Sequence, residues 1–227
     1  MINSSYSLQN DPHCATKRSL LLWQRLGLQD YIPIWNAMQN FTKDRTAITP
    51  NELWTLEHCP IYTLGQAGRS EHLLNPKTIP VIKTDRGGQV TYHGPGQIIA
   101  YVLYDLRRDG MGVKTLVHYL EQAVIELLAT ENIVAMRKPK MPGVYVGACK
   151  IASVGLRIKN GCSLHGISLN CSMDLTPFQN INPCGYPSLI MTQVVDLKAT
   201  SVDCKRLEWQ LAMQIATQMQ ANLVPVN

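Results

Sequence analysis

Apolar residues recur along the chain with two different periods. Short apolar runs, only some of them alternating with polar residues at period two, predict strands over residues 19–26, 52–57, 61–64, 81–83, 90–93 and 98–105, the last two separated by Gly94-Pro95-Gly96. Recurrence near 3.6 predicts helices. Behind Asp30, a candidate N-cap, the residues Tyr31, Ile34, Trp35, Met38 and Phe41 share one face. Val113, Leu116, Val117, Leu120, Val124, Leu127 and Leu128 define a helix over 113–128. Leu207, Leu211, Ile215 and Met219 define a last one over 203–223. Strands and helices mixed in this way predict an α/β (α+β) domain with a mixed β-sheet flanked by helices. Residues 1–16 are polar and irregular and predict a mobile extension. Residues 17–227 are expected to form a single domain.

One strand pair can be specified to the residue. Asn160-Gly161 separates two strand-like runs, 149–159 and 162–170, and Asn-Gly is the preferred pair for a two-residue type I′ turn. That turn pairs Lys159 with Cys162. Ser153 then faces Ser168, Val154 faces Ile167, and Gly155 faces Gly166. Extended further, the register sets Lys150 opposite Cys171. Mid-strand glycines mark a bulge, or close approach of a ligand or another backbone.

Composition narrows the function classes. Apolar residues make up 45% of the chain, enough for a core, and no run approaches the ~20 needed to span a membrane. A soluble, cytoplasmic, monomeric protein is expected. The net charge of +5, from 21 basic and 16 acidic residues, is scattered. It marks no nucleic-acid arm, but it would help steer acidic partner proteins. The seven cysteines are odd in number and form no CxxC pair, which argues against a disulfide framework or a structural zinc site. Most should be small buried hydrophobes.

Three segments have the composition of a reactive site. The first is Arg86-Gly87-Gly88-Gln89-Val90-Thr91-Tyr92-His93, followed by Gly94-Pro95-Gly96-Gln97. Its glycines permit close approach to the backbone, and their spacing fits neither a P-loop nor a dinucleotide fingerprint. In the second, Lys150 stands in the uncharged stretch Gly147–Gly155, where desolvation can turn a lysine into a usable base. The third, Asn182-Pro183-Cys184-Gly185, is a tight turn that presents a thiol. Each segment alone also fits a structural role: a turn before a strand, a snorkelling lysine, a small loop residue.

Together with His165-Gly166-Ile167 and its Leu169-Asn170 ending, these segments resemble the octanoyltransferase family, also called lipoyl(octanoyl) transferase or lipoate-protein ligase B. The resemblance covers roughly residues 20–220. It implies a fold like the catalytic domain of biotin and lipoate protein ligases. It implies transfer of octanoyl from acyl carrier protein to a lysine on lipoyl domains of 2-oxoacid dehydrogenases and on the glycine-cleavage H protein, within lipoate biosynthesis. Cys184 would be the nucleophile and carry the acyl-thioester. Lys150 would favour the thiolate and act as general acid/base. Substrate would be bound by residues 86–93, by Ser153, Val154 and Gly155, and by Gly166, Ile167 and Ser168, with the side chains of Val154 and Ile167 expected to line the acyl pocket. No metal or nucleotide is expected, because the donor is already a thioester. The competing readings are an ATP-dependent lipoate- or biotin-type ligase, a carrier-protein-binding module without activity, and a cysteine hydrolase using His93 or His165.

Overall fold

The computed structural model describes residues 19–199 and 201–226. The proposed extension over 1–16 lies outside them. The described chain forms β1 (Ser19–Gln29), α1 (Tyr31–Lys43), β2 (Asn51–His58), β3 (Ile61–Leu64), β4 (Val81–Lys83), β5 (Val90–His93), β6 (Gln97–Leu103) and α2 (Val113–Thr130). It continues through β7 (Met136–Lys138), β8 (Met141–Val146), β9 (Cys149–Lys159), β10 (Cys162–Asn170), α3 (Cys204–Gln218) and β11 (Ala221–Val226).

Eight strands make one mixed sheet in the order β11-β1-β2-β6-β10-β9-β8-β7. β1 runs parallel to β2 and β11, and the other pairs are antiparallel. A small second sheet, β4-β3-β5, stands beside it. α2 and α3 cover one face of the large sheet, with Leu116, Leu120, Leu211 and Ile215 packed against Leu53, Ala100, Ile167 and Leu169. α1 covers part of the other face through Ile34 and Met38, which meet Trp54, Ile99, Tyr101 and Leu164. Coverage on both faces explains why β6 is buried at every position and, after Gln97, reads as an unbroken apolar run.

The Asn160-Gly161 hairpin has the register read from the sequence, with Ser168 opposite Ser153, Ile167 opposite Val154 and Gly166 opposite Gly155. Both turn residues have the left-handed φ of a type I′ turn, 51° and 73°. Past Ala152 the register is not continued. Lys150 bridges Met191 rather than Cys171.

Three other features depart from expectation. The last helix stops at Gln218, and Gln220, at a left-handed φ of 51°, turns the chain into β11 alongside β1. β7 and β8 are additional strands. Cys171, fully buried, forms a disulfide with Cys204 on the first turn of α3, their Cα atoms 6.2 Å apart. The end of β10 is thereby tied to the helix that covers the sheet, and Cys171 is not a spare thiol.

Gly166 shows why one of the paired glycines is fixed. A Cβ there would stand 1.9 Å from the Ala100 carbonyl oxygen on the neighbouring strand. Gly166→Ala should therefore cost about 1–3 kcal/mol through overpacking and lower Tm by roughly 2–10 °C. Differential scanning calorimetry checks this, and an unchanged Tm would show that β6 and β10 can part freely.

Candidate active site

Cys184 lies in a turn whose conformation aims its side chain. Pro183 precedes it, and its own φ is +56°, a left-handed value uncommon for a residue with a Cβ. The turn is held by Gly185 N–H donating to Asn182 O (2.9 Å), Tyr186 N–H to Pro183 O (3.1 Å) and Asn182 N–H to His72 O (2.8 Å). Such strained residues persist where the surrounding contacts over-determine them, often at functional sites.

Lys150 meets this turn from the start of β9. It is 2% exposed, and its ammonium Nζ is 3.1 Å from Cys184 Sγ and 2.8 Å from the Pro142 carbonyl oxygen. Gly143 leaves the room for it, since a Cβ there would come within 2.6 Å of Lys150 Cε. The Tyr145 ring lies beneath the ammonium at 5.5 Å. The lysine backbone also anchors the far end of the cysteine loop: Lys150 N–H donates to Ile190 O (2.8 Å), and Thr192 N–H donates to Lys150 O (2.9 Å). Thiol and amine are thus locked together by local backbone as well as by the side chains.

Both groups open onto a cavity of about 190 Å³. Its floor is the large sheet at Ile99, Tyr101, Ser153, Gly155, Gly166 and Ser168. The segment Arg86, Gly87, Gly88, Gln89, Val90, Thr91 and His93 borders it on the side of the small sheet. Gly87 N–H donates to Leu156 O (2.9 Å), which seats this segment on the hairpin. Gly155 keeps that approach open: a Cβ there would stand 3.3 Å from Arg86 Cδ.

Arg86 is buried without a carboxylate. Its guanidinium donates instead to Thr63 Oγ1 (3.0 and 2.8 Å), Thr63 O (2.5 Å), Gly87 O (2.9 Å) and Gln89 O (2.8 Å), and so shapes the segment that follows it. His93 is neutral, because burial pulls its ring down to about 3. Gln97 uses its amide nitrogen on Asn170 Oδ1 (2.9 Å), so its oxygen accepts from His93 Nδ1 (2.7 Å). Asn170 passes the chain on to Thr192 O (2.9 Å). Neither His93 nor His165 bonds Cys184; His165 donates from Nε2 to Asp85 Oδ1 (2.8 Å), which also accepts from Trp35 Nε1 (2.8 Å).

A family model for the lipoyl protein ligase A/B catalytic domain matches residues 30–216. The chain belongs to this family. Within the lipoyl protein ligase family, an octanoyltransferase of Azotobacter vinelandii is 56% identical over 196 residues, covering 86% of this chain and 90% of that one. An octanoyltransferase of Thiobacillus denitrificans is 58% identical over 177 residues, covering 78% and 81%. The chain is accordingly an acyltransferase of the octanoyltransferase type. The fold agrees. A putative lipoate protein ligase of T. acidophilum with bound lipoic acid superposes with a TM-score of 0.72 at 14% identity, covering 92% of this chain and 89% of that one.

Most of the residues carried over from the octanoyltransferase motifs border the cavity, with three qualifications. Tyr92 does not: strand alternation turns it to the other face of β5, where its ring meets Tyr62 (5.5 Å) and Phe178 (5.6 Å). Val154 and Ile167 border the cavity, but their side chains pack into the core beneath α2 and α3. Both residues thus line the cavity as the sequence suggested and pack against the core at the same time. His165 escapes the alternation through a left-handed φ of 62° and lines the cavity. Tyr31, Tyr145, Met141, Pro142 and Tyr186 complete the wall without having been singled out in the sequence.

No helix among the described residues is long and apolar enough to cross a membrane.

Proposed function

We propose that this acyltransferase moves an octanoyl group from octanoyl-acyl carrier protein to a lysine of lipoyl domains, including those of 2-oxoacid dehydrogenases and the glycine-cleavage H protein, through an acyl-thioester on Cys184. The observation that carries the reading is the Lys150 Nζ–Cys184 Sγ distance of 3.1 Å at the wall of the cavity.

In the first half-reaction the Cys184 proton resides on Lys150, and the sulfur attacks the carrier thioester carbonyl. The tetrahedral intermediate collapses, the bond to the carrier sulfur breaks, and Lys150 returns the proton to the departing thiolate. In the second, the neutral amine of the acceptor lysine attacks the Cys184 thioester. Lys150, now neutral, takes a proton from that nitrogen as the C–S bond breaks, and hands it to the Cys184 sulfur. The enzyme gives one proton to the carrier thiol in the first half-reaction and regains one from the acceptor amine in the second, so the proton count is restored over the full cycle. An octanoyl tail has seven carbons beyond its carbonyl, so full burial would contribute about 5–6 kcal/mol at ~0.8 kcal/mol per methylene.

An ATP-dependent ligase has no use for a placed thiol–amine pair. The test is a reaction of octanoyl-carrier protein with a lipoyl domain without ATP or magnesium. One octanoyl mass on the lipoyl domain is expected. Modification that appears only from free octanoate with ATP and magnesium would make the enzyme a ligase.

A further inference from the structure

Glu121 is the charged residue among the buried positions of α2, the rest of which are leucine, alanine and valine. It is 6% exposed and lies off the cavity. A buried carboxylate is costly unless its oxygens are paired, and both of these are. Oε1 accepts from the Gly143 N–H (2.7 Å), and Oε2 accepts from Arg137 Nε (3.0 Å). Arg137 also donates to His118 O (3.0 Å) and Gln122 Oε1 (2.8 Å) on the same helix.

The Gly143 N–H belongs to the peptide unit whose carbonyl is that of Pro142, and the Pro142 oxygen accepts from Lys150 Nζ (2.8 Å). One planar group thus meets the carboxylate of α2 on its N–H side and the ammonium of β9 on its C=O side. The same ammonium is 3.1 Å from Cys184 Sγ. Hydrogen bonds at the two ends of one peptide polarise it in the same sense, so each strengthens the other. This peptide also needs an outside hold. Gly143 has a φ of +121° and no Cβ, and it stands outside the register that β8 keeps with β7 and β9. A peptide beside such a glycine turns more freely than one inside a ladder, and a turn of its plane would carry Pro142 O off the ammonium.

We propose that Glu121 is a positioning residue for the Lys150–Cys184 pair: it fixes the Pro142–Gly143 peptide so that the Pro142 carbonyl seats the Lys150 ammonium against the thiol. The assignment rests on the acyl-transfer reading above for its bearing on turnover. The seating of the amine is a property of the folded chain by itself.

The experiment compares Glu121→Met and Glu121→Gln in the full chain. Methionine suits the apolar surroundings but removes the hold, whereas glutamine keeps an acceptor oxygen for the Gly143 N–H. The first readout is alkylation of Cys184 by iodoacetamide at neutral pH, resolved by peptide mass with Cys59 as internal reference. It reports the thiolate that a seated ammonium sustains. Glu121→Met should slow it about tenfold or more, and Glu121→Gln should stay within about threefold of wild type. The second readout is octanoyl transfer. There kcat of Glu121→Met should fall about 10–100-fold with KM for the carrier thioester little changed, because Glu121 lies off the cavity. A lowered Tm with wild-type alkylation in Glu121→Met would make Glu121 a residue of the fold alone and overturns the proposal. Equal slowing in both variants overturns it as well, since the acceptor oxygen is then not what matters. Selective slowing of alkylation in Glu121→Met upholds the positioning role even where no form of the enzyme becomes acylated, a result that would strike the transfer reading alone.

Discussion

Cys184→Ser is expected to form no acyl-enzyme and to lower octanoyl transfer by at least about 10³-fold. The effect is chemical and not structural. Serine is nearly the same size, can adopt the φ of +56°, and leaves untouched the three backbone hydrogen bonds that hold the turn. What it loses is a nucleophile that the adjacent ammonium can hold as an anion, because an alkoxide lies far out of reach where a thiolate does not. Any ester formed would also resist the acceptor amine more than a thioester does. Intact mass after mixing with octanoyl-carrier protein reads the first point, and octanoylation of a lipoyl domain reads the second. A Tm close to wild type would show that the fold is kept. The remaining free cysteines offer no substitute. Cys59, Cys149 and Cys162 are the other free thiols among the described residues, and none borders the cavity. An octanoyl adduct that survived in Cys184→Ser would move the nucleophile away from this turn.

The parts of this site that were legible in the sequence are those written in local rules. Asn160-Gly161 dictated a type I′ turn, and the turn dictated the register that sets Gly155 against Gly166. The isolation of Lys150 among uncharged neighbours fitted a desolvated base as well as a snorkelling side chain, and the structure has it 2% exposed. The parts that were not legible depend on which face of a strand a residue takes. A run of motif residues reads as one block, but a strand divides it by alternation. Tyr92 thus faces away from His93, and Val154 and Ile167 face away from Ser153 and Ser168. His165 is the converse, brought to the cavity by a left-handed backbone that no glycine announced. The same silence hid the end of the last helix. Leu223 continues the spacing of Met219, while Gln220 turns the chain without the glycine that commonly ends helices. The Cys171–Cys204 pair was out of reach because its sulfurs are joined only by the packing of α3 on the sheet, 33 residues apart in sequence.

Lys150→Met is expected to slow both half-reactions, each by about 10²–10⁴-fold. Methionine keeps a long unbranched stem in a site that is 2% exposed, so the change removes the amine with little loss of packing. It leaves Pro142 O without its donor, which costs about 1–3 kcal/mol of stability and should be seen as a lowered Tm. The kinetic loss has two separate sources. Without the ammonium 3.1 Å from Sγ, the thiol must lose its proton to water before attacking the carrier thioester. Without the neutral amine, the acceptor nitrogen has no positioned base when it attacks the Cys184 thioester. Single-turnover measurements separate the two: one follows formation of the acyl-enzyme, and the other starts from acyl-enzyme already formed. Raising the pH should restore the first step in the variant, because hydroxide then supplies the thiolate, and it should restore the second less, because no base stands at the acceptor nitrogen. If acyl-enzyme formation were slowed while its reaction with the lipoyl domain kept its wild-type rate, Lys150 would serve only as the thiolate's counter-ion, and the acceptor lysine would have to arrive already deprotonated.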